Sequence, residues 1–269
     1  MSAGEGSVDV SKRTEQELRQ NVVEIGKLMY QKGWVAANDG NITVRLDPER
    51  ILATPTGVSK GMMGASDLIV VDMDGNKISG CKAATSEINM HLAIYRLRPE
   101  IQSVVHAHPP VATGFAAAGR PLNLALLPEV VVGLGSIPLA GYGLPGTLAL
   151  VEPMLPLIPK HDAIILQNHG VVCYSEDEYG AFFRMETVEH FARITLVAEL
   201  LGGANALPRL EVEKLFASRE RYGVRSKSRM EPGWPIVSED LNGDRAPDFV
   251  TKRELFGLFE EFMKTRGLV

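Results

Sequence analysis

The chain has 269 residues, 45% of them hydrophobic and 23% charged, which is the balance of an ordinary globular protein with room for a substantial core. A formal net charge of -5 argues against nucleic acid as the main partner, because a phosphate backbone demands clustered Lys and Arg. Cys81 and Cys173 form no CxxC-type pair, residues 1–9 lack the basic-then-apolar order of a signal peptide, and no apolar run is long enough to span a membrane. A cytoplasmic location without a disulfide framework is therefore expected.

Residues 1–13 read as a flexible tail. Thr14-Glu15-Gln16-Glu17 is a capping box, and Leu18, Val22, Ile25 and Met29 follow at helical spacing until Gly33. The turn cluster Asn38-Asp39-Gly40-Asn41 leads into a strand, Ile42 to Leu46, and a second strand near Ile51 to Thr54 is interrupted by Pro55-Thr56-Gly57. Leu68 to Val71 is a strand, turned by Asp74-Gly75 into Lys77-Ile78. A helix is predicted from Ser86 to Leu97, stopped by Pro99, then a strand from Ile101 to Ala107 and a small-residue helix to Ala118.

Residues 119–147 are rich in Gly and Pro and are expected to hold short strands, including Val130-Val131-Val132. Ala163 to Leu166 is a buried strand, Gly170 turns it into Val171 to Tyr174, and a long helix covers Asp177 to Leu200. Residues 202–247 read as an irregular extension, and Phe249 to Thr265 as an amphipathic helix. The division expected is a tail over 1–13, a main domain over 14–202 and an extension over 203–269. Hairpins mixed with flanking helices suggest an α/β layered domain with much antiparallel sheet.

Among the six histidines, His106 and His108 stand two apart at a strand end, so both imidazoles project from one face. Taken alone, such a pair is more often a surface or hydrogen-bonded pair than a metal site. His169 sits at another strand end, before Gly170. Three protein ligands with an open position is the pattern of a catalytic zinc site. Glu87 opens a helix, where an acid also simply suits the helix dipole. His91, one turn on, is either a second metal partner for Glu87 or, the preferred reading, a core residue behind it. His161 reads as a loop residue and His190 as a helix-surface or packing residue. Gly40-Asn41, Thr56-Gly57 and Thr85-Ser86 are turn amides and hydroxyls of the kind that cradle an anion, though most such clusters are plain turns. The P-loop and dinucleotide-binding glycine patterns are absent.

In this order, Asn38-Asp39-Gly40-Asn41-Ile42-Thr43-Val44-Arg45, Thr54-Pro55-Thr56-Gly57, Ser86-Glu87-Ile88-Asn89-Met90-His91, Val104-Val105-His106-Ala107-His108, Tyr142-Gly143-Leu144-Pro145-Gly146-Thr147 and Asn168-His169-Gly170 resemble the class II aldolase/adducin family over roughly residues 14–202. The resemblance implies a three-layer αβα sandwich with a largely antiparallel central sheet, and a homotetramer with active sites at subunit interfaces. It implies Zn2+, or another divalent cation, on His106, His108 and His169, with Glu87 as catalytic acid/base. It also implies a substrate-phosphate site of Asn41, Thr56, Gly57, Thr85 and Ser86.

The activity implied is aldol cleavage or formation of a ketose 1-phosphate through a metal-stabilised enediolate, yielding dihydroxyacetone phosphate and a small aldehyde. Sister reactions, 4-epimerisation of a sugar phosphate or decarboxylation of a sugar-acid phosphate, use the same site, and an adducin-like module would use no metal. Neither nucleic acid nor membrane is an expected partner. The sequence departs from the family's aldolases in one place. One of them takes a proton-donor tyrosine from a neighbouring subunit, whereas Leu126-Leu127-Pro128-Glu129-Val130 has none, and Glu129 is either its substitute or a structural or interface residue.

Overall fold

A computed structural model describes residues 13–224, 226 and 235–241. The predicted helix Phe249 to Thr265 and most of the tail lie outside them. Helix α1 (Glu15–Gln31) starts where the sequence says it should. Thr14 Oγ1 accepts from the Glu17 amide at 3.2 Å, and the Glu17 carboxylate accepts from the Thr14 amide at 2.7 Å. Then follow β1 (Asn41–Arg45), β2 (Arg50–Ala53), β3 (Ile69–Asp72), β4 (Lys77–Ser79), α2 (Ile88–Leu97), β5 (Ser103–Ala107), α3 (Pro110–Ala117), α4 (Pro128–Gly133), β6 (Leu139–Ala140), α5 (Leu148–Val151), β7 (Ala163–Leu166), β8 (Gly170–Ser175), α6 (Glu178–Leu200) and α7 (Arg209–Ala217).

The strands form one sheet in the order β4-β3-β2-β1-β5-β8-β7-β6. The expectation of a largely antiparallel sheet is corrected to a mixed one: β6 joins the edge parallel to β7, while the other pairings are antiparallel. The crossover through α5 delivers β7 alongside β6 in the same direction, which a tight hairpin cannot do.

Strand side chains alternate between two separate cores. Leu52, Val70, Val105, Ile165, Val171 and Cys173 pack with α1, α3 and α6 on one face. Ile51, Ile69, Val71, Val104, Ile164, Val172 and Tyr174 pack with α2 and α5 on the other. Helices therefore cover both faces. Arg98, buried just after α2, donates to the Ile158 and His161 carbonyls and to Asp162 Oδ1 at 2.9 Å, tying α2 to the approach to β7.

Two expectations are corrected. Val130-Val131-Val132 is helical, not a strand. Pro128 occupies the first turn of α4, and the helix splits its valines between cores, Val130 toward the main one and Val131 toward a small cluster with Val212 of α7. That contact also explains why the extension is not simply irregular, since α7 gives α4 an apolar partner. No helix among the described residues is long and apolar enough to cross a membrane.

Candidate active site

The ladder between β1 and β5 sets the site. Asn41 pairs with His106 across the strands, and β5 pairs His106 with Val172 of β8. His108 lies just past the end of β5, and His169 sits in the tight β7–β8 turn beside Asn168, which takes φ 55°. Two glycines let the chains approach. A Cβ on Gly170 would stand 2.5 Å from His108 Cδ2 and 2.6 Å from the Ala107 carbonyl oxygen. A Cβ on Gly40, which has φ +70°, would stand 2.9 Å from the His106 carbonyl oxygen. Both contacts are closer than any side-chain carbon tolerates, so these positions need glycine.

The three imidazoles converge, with a ligand nitrogen from each lying within 4.8 Å of the others. His106 Nδ1 is 2.9 Å from the Val171 carbonyl. A carbonyl only accepts, so Nδ1 carries the proton and Nε2 keeps its lone pair. That lone pair faces His108 Nε2 at 3.2 Å and Glu87 Oε2 at 3.3 Å. Two nitrogens on one tetrahedral zinc, with bonds of about 2.0–2.1 Å, would stand roughly 3.3 Å apart. His108 turns its other nitrogen, Nδ1, toward Asp39 at 3.6 Å, the arrangement by which a carboxylate orients a metal-binding imidazole. Glu87 Oε1 is buried and accepts no hydrogen bond of good geometry, although His169 Nε2 lies 3.0 Å away.

Protonation states sharpen this. Burial raises the Glu87 carboxyl, but His106, His169 and the Asn41 amide together hold it well below the usual carboxylate range. Burial pushes His106 down to about 3, against the pull of Glu87. Near neutral pH an ionised carboxylate thus faces His106, whose neutral ring turns a lone pair inward. Together with His108 and His169, this donor set fits a divalent metal.

Glu87 occupies the N-cap of α2, yet its side chain makes no capping bond. It turns instead to the histidines and accepts from Asn41 Nδ2 at 2.8 Å. The helix-dipole reading of Glu87 therefore does not account for where the side chain goes. The preferred reading of His91 holds: it is fully buried behind Asn41.

A chain of donors follows from the carboxylate. Because Asn41 offers Nδ2 to Glu87, its Oδ1 must accept, and it accepts from His91 Nε2. His91 Nδ1 then accepts from the Thr43 hydroxyl at 2.8 Å, and Thr43 accepts from the Tyr95 hydroxyl at 2.9 Å. Burial lowers His91 to about 4, so it stays neutral and fixed in this tautomer. The sequence reading missed Thr43 and Tyr95. Strand alternation puts Thr43 on the Asn41 face, but nothing local says that Tyr95 of α2 lands against it.

A cavity of about 200 Å³ opens beside the histidines, and Asn41, Thr56, Thr85 and Ser86 line it together with Glu87, His108 and His169. The β-bridge between Pro55 and Ala84 and the bond from the Thr56 amide to the Ala83 carbonyl at 3.1 Å hold the two hydroxyl-bearing turns together. Gly57, at φ +71°, turns the chain beside Thr56. Asn41 uses both ends of its side chain on Glu87 and His91, so its side chain serves the carboxylate first. Lys60, also missed from sequence, lines the same cavity, and burial brings its ammonium down to about 8 while Asp39 acts the other way. Glu129 is elsewhere: it is exposed on α4 and lines a different cavity with Asp177 and Arg184. His161 is buried in a loop, and His190 lies exposed on α6.

Residues 20–196 match the Class II Aldolase and Adducin N-terminal domain. The chain belongs to the class II aldolase/adducin family. Within this family it is 35% identical over 175 residues to an L-fuculose phosphate aldolase of Methanococcus maripaludis, covering 65% of this chain and 94% of the relative. It is also 32% identical over 201 residues to a 3-oxo-tetronate 4-phosphate decarboxylase of Pectobacterium atrosepticum, covering 73% of this chain and 92% of the relative. A solved structure of L-fuculose 1-phosphate aldolase superposes with a TM-score of 0.72 at 27% identity, over 79% of this chain and 99% of that one. These two relatives thus carry the names of two different reactions.

Proposed function

We propose that this protein is a zinc-type, divalent-metal-dependent aldolase that cleaves or forms a ketose 1-phosphate, with dihydroxyacetone phosphate and a small aldehyde as the other side of the reaction. The observation that carries the reading is Glu87, one buried carboxylate set against three convergent imidazoles at the edge of a hydroxyl-lined cavity. His106, His108 and His169 would hold the ion. A bound divalent cation would act as a Lewis acid, drawing charge from a substrate carbonyl as the carbon–carbon bond breaks.

The chain's own groups do the rest. Glu87 takes a proton from, or returns it to, the carbon that becomes nucleophilic. Asn41 aims that carboxylate through its Nδ2. The turn at Thr56-Gly57 and the hydroxyls of Thr85 and Ser86 hold the phosphate, which fixes the reacting carbon against the aldehyde. Glu129, exposed and outside its own chain's cavity, would act as proton donor in the site of a neighbouring copy. That role makes a homotetramer with sites between subunits part of the reading. The catalytic unit is residues 14–202, with 203–269 as an extension.

A second reading, decarboxylation of a sugar-acid phosphate on the same centre, is favoured by the decarboxylase relatives and by the absence of tyrosine at 126–130. The test is metal analysis of the purified protein, alongside assays for dihydroxyacetone phosphate from ketose 1-phosphates and for CO2 from 3-oxo-tetronate 4-phosphate. The aldolase reading expects bound divalent metal, triose release, and a loss of about 10²–10⁴ in turnover for Glu87→Gln with metal content kept. CO2 without triose would establish the second reading, and a metal-free protein would sink both.

A further inference from the structure

The cavity beside the histidines has an unbalanced charge. Its lining includes two carboxylates, Asp39 and Glu87, and a single side chain with a full positive charge, Lys60. Lys60 is 1% exposed, so its ammonium is an interior charge. It donates to the Asn38 carbonyl at 2.9 Å and the Val58 carbonyl at 2.7 Å. It makes no ion pair among the described residues. An ammonium has three protons, and two are used here. A buried, unpaired charge is costly and is kept where something compensates it. Neutral carbonyls compensate only in part.

We propose that Lys60 is the counter-charge of this cavity and binds the phosphoryl group of the substrate directly. The proposal rests on the phosphate-site reading above and adds to it the one group that carries charge. Hydroxyls of Thr56, Thr85 and Ser86 give direction but no charge, and a phosphoryl group near neutral pH brings between one and two negative charges. Without Lys60 it would enter a cavity already holding Glu87. With Lys60 the third ammonium proton goes to a phosphoryl oxygen, while the two carbonyls keep the side chain aimed. The loop Thr56 to Lys60 then contributes at both ends, the turn at Thr56-Gly57 and the ammonium at Lys60. The competing account is that Lys60 only pins the Asn38 turn to Val58.

Inorganic phosphate is the probe, titrated into the full-length protein by calorimetry and by thermal shift, with metal content measured on every sample. Wild type is expected to bind phosphate. Lys60→Met is expected to bind it about ten- to a hundredfold more weakly, the range of a charge-assisted hydrogen bond, with metal content unchanged. Lys60→Gln keeps a donor for the two carbonyls but no charge, so it covers the case in which the Met variant does not fold, and it is expected to show the same loss. Lys60→Arg is expected to restore most of the binding. Phosphate binding in Lys60→Gln equal to wild type would overturn the proposal and leave Lys60 as a loop clamp. Wild type that binds no phosphate would overturn the phosphate-site reading itself, and this proposal with it.

Discussion

At the residue scale, one carboxylate sets the direction of four side chains. Glu87 is ionised, so Asn41 must donate to it, His91 must donate to Asn41, Thr43 to His91 and Tyr95 to Thr43. Replacing His91 by Phe keeps a planar ring there, somewhat larger than the imidazole, but removes the N–H that Asn41 Oδ1 accepts. The expected result is a loss of about 1–3 kcal/mol, the penalty of a buried unsatisfied acceptor, read as a lower midpoint in urea. Turnover should fall while bound metal does not, because Asn41 becomes free to turn its amide. Unchanged stability and turnover would show that the chain of donors is incidental. The histidines and Glu87 were legible in the sequence because their residue types carry the chemistry and strand alternation pairs His106 with His108. Tyr95 and Lys60 were not. Each reaches the site through a contact between distant elements, and a lone Tyr or Lys has no spacing to read.

At the element scale, the site hangs on the β5–β8 ladder and on the turn before it. Gly170 is the sensitive point. Gly170→Ala is expected to push His108 and the Ala107 carbonyl out of place, costing about 1–3 kcal/mol as an overpacked position does and removing bound metal. Metal analysis together with a denaturation curve checks this, and a variant with full metal content would contradict the geometry. The hairpins and the long helices were legible, since Asp74-Gly75, Gly170 and the capping box at Thr14 are local signals. The valine run of α4 was not, because β-branched residues favour strands unless, as here, a proline-started turn finds apolar neighbours on two sides. The parallel edge strand β6, only two residues long, is too short to leave a periodic trace.

At the scale of the whole molecule, stability carries a pH dependence that the proposed metal binding would share. Unfolded imidazoles take up protons below about 6.5, but His91 does so in the folded chain only near 4 and His106 near 3. Between those values the unfolded state binds more protons, so stability falls as pH falls, by up to about 1.4 kcal/mol per pH unit for each imidazole. Glu87, depressed by its neighbours, contributes stability above the ordinary carboxylate range and loses it only at still lower pH. Urea denaturation in the presence of a chelator, at pH 7.5 and pH 5.5, should show a clearly lower midpoint at the acid value. Equal midpoints would mean that the buried imidazoles take up their protons without cost. Added divalent metal should raise the midpoint at neutral pH by mass action and lose that effect on acidification.

The pairing of Asn41 with His106 has a last consequence, for how the protein comes apart. The residue that aims Glu87 and the first imidazole of the cluster are opposite one another on neighbouring strands in the middle of the sheet. A slip of one residue along that ladder would turn His106 into the opposite core and bring a valine in its place. Fraying of an edge strand or a loop leaves this pairing intact. It is assembled when the central ladder closes, and it is lost only in the opening that takes the whole domain with it.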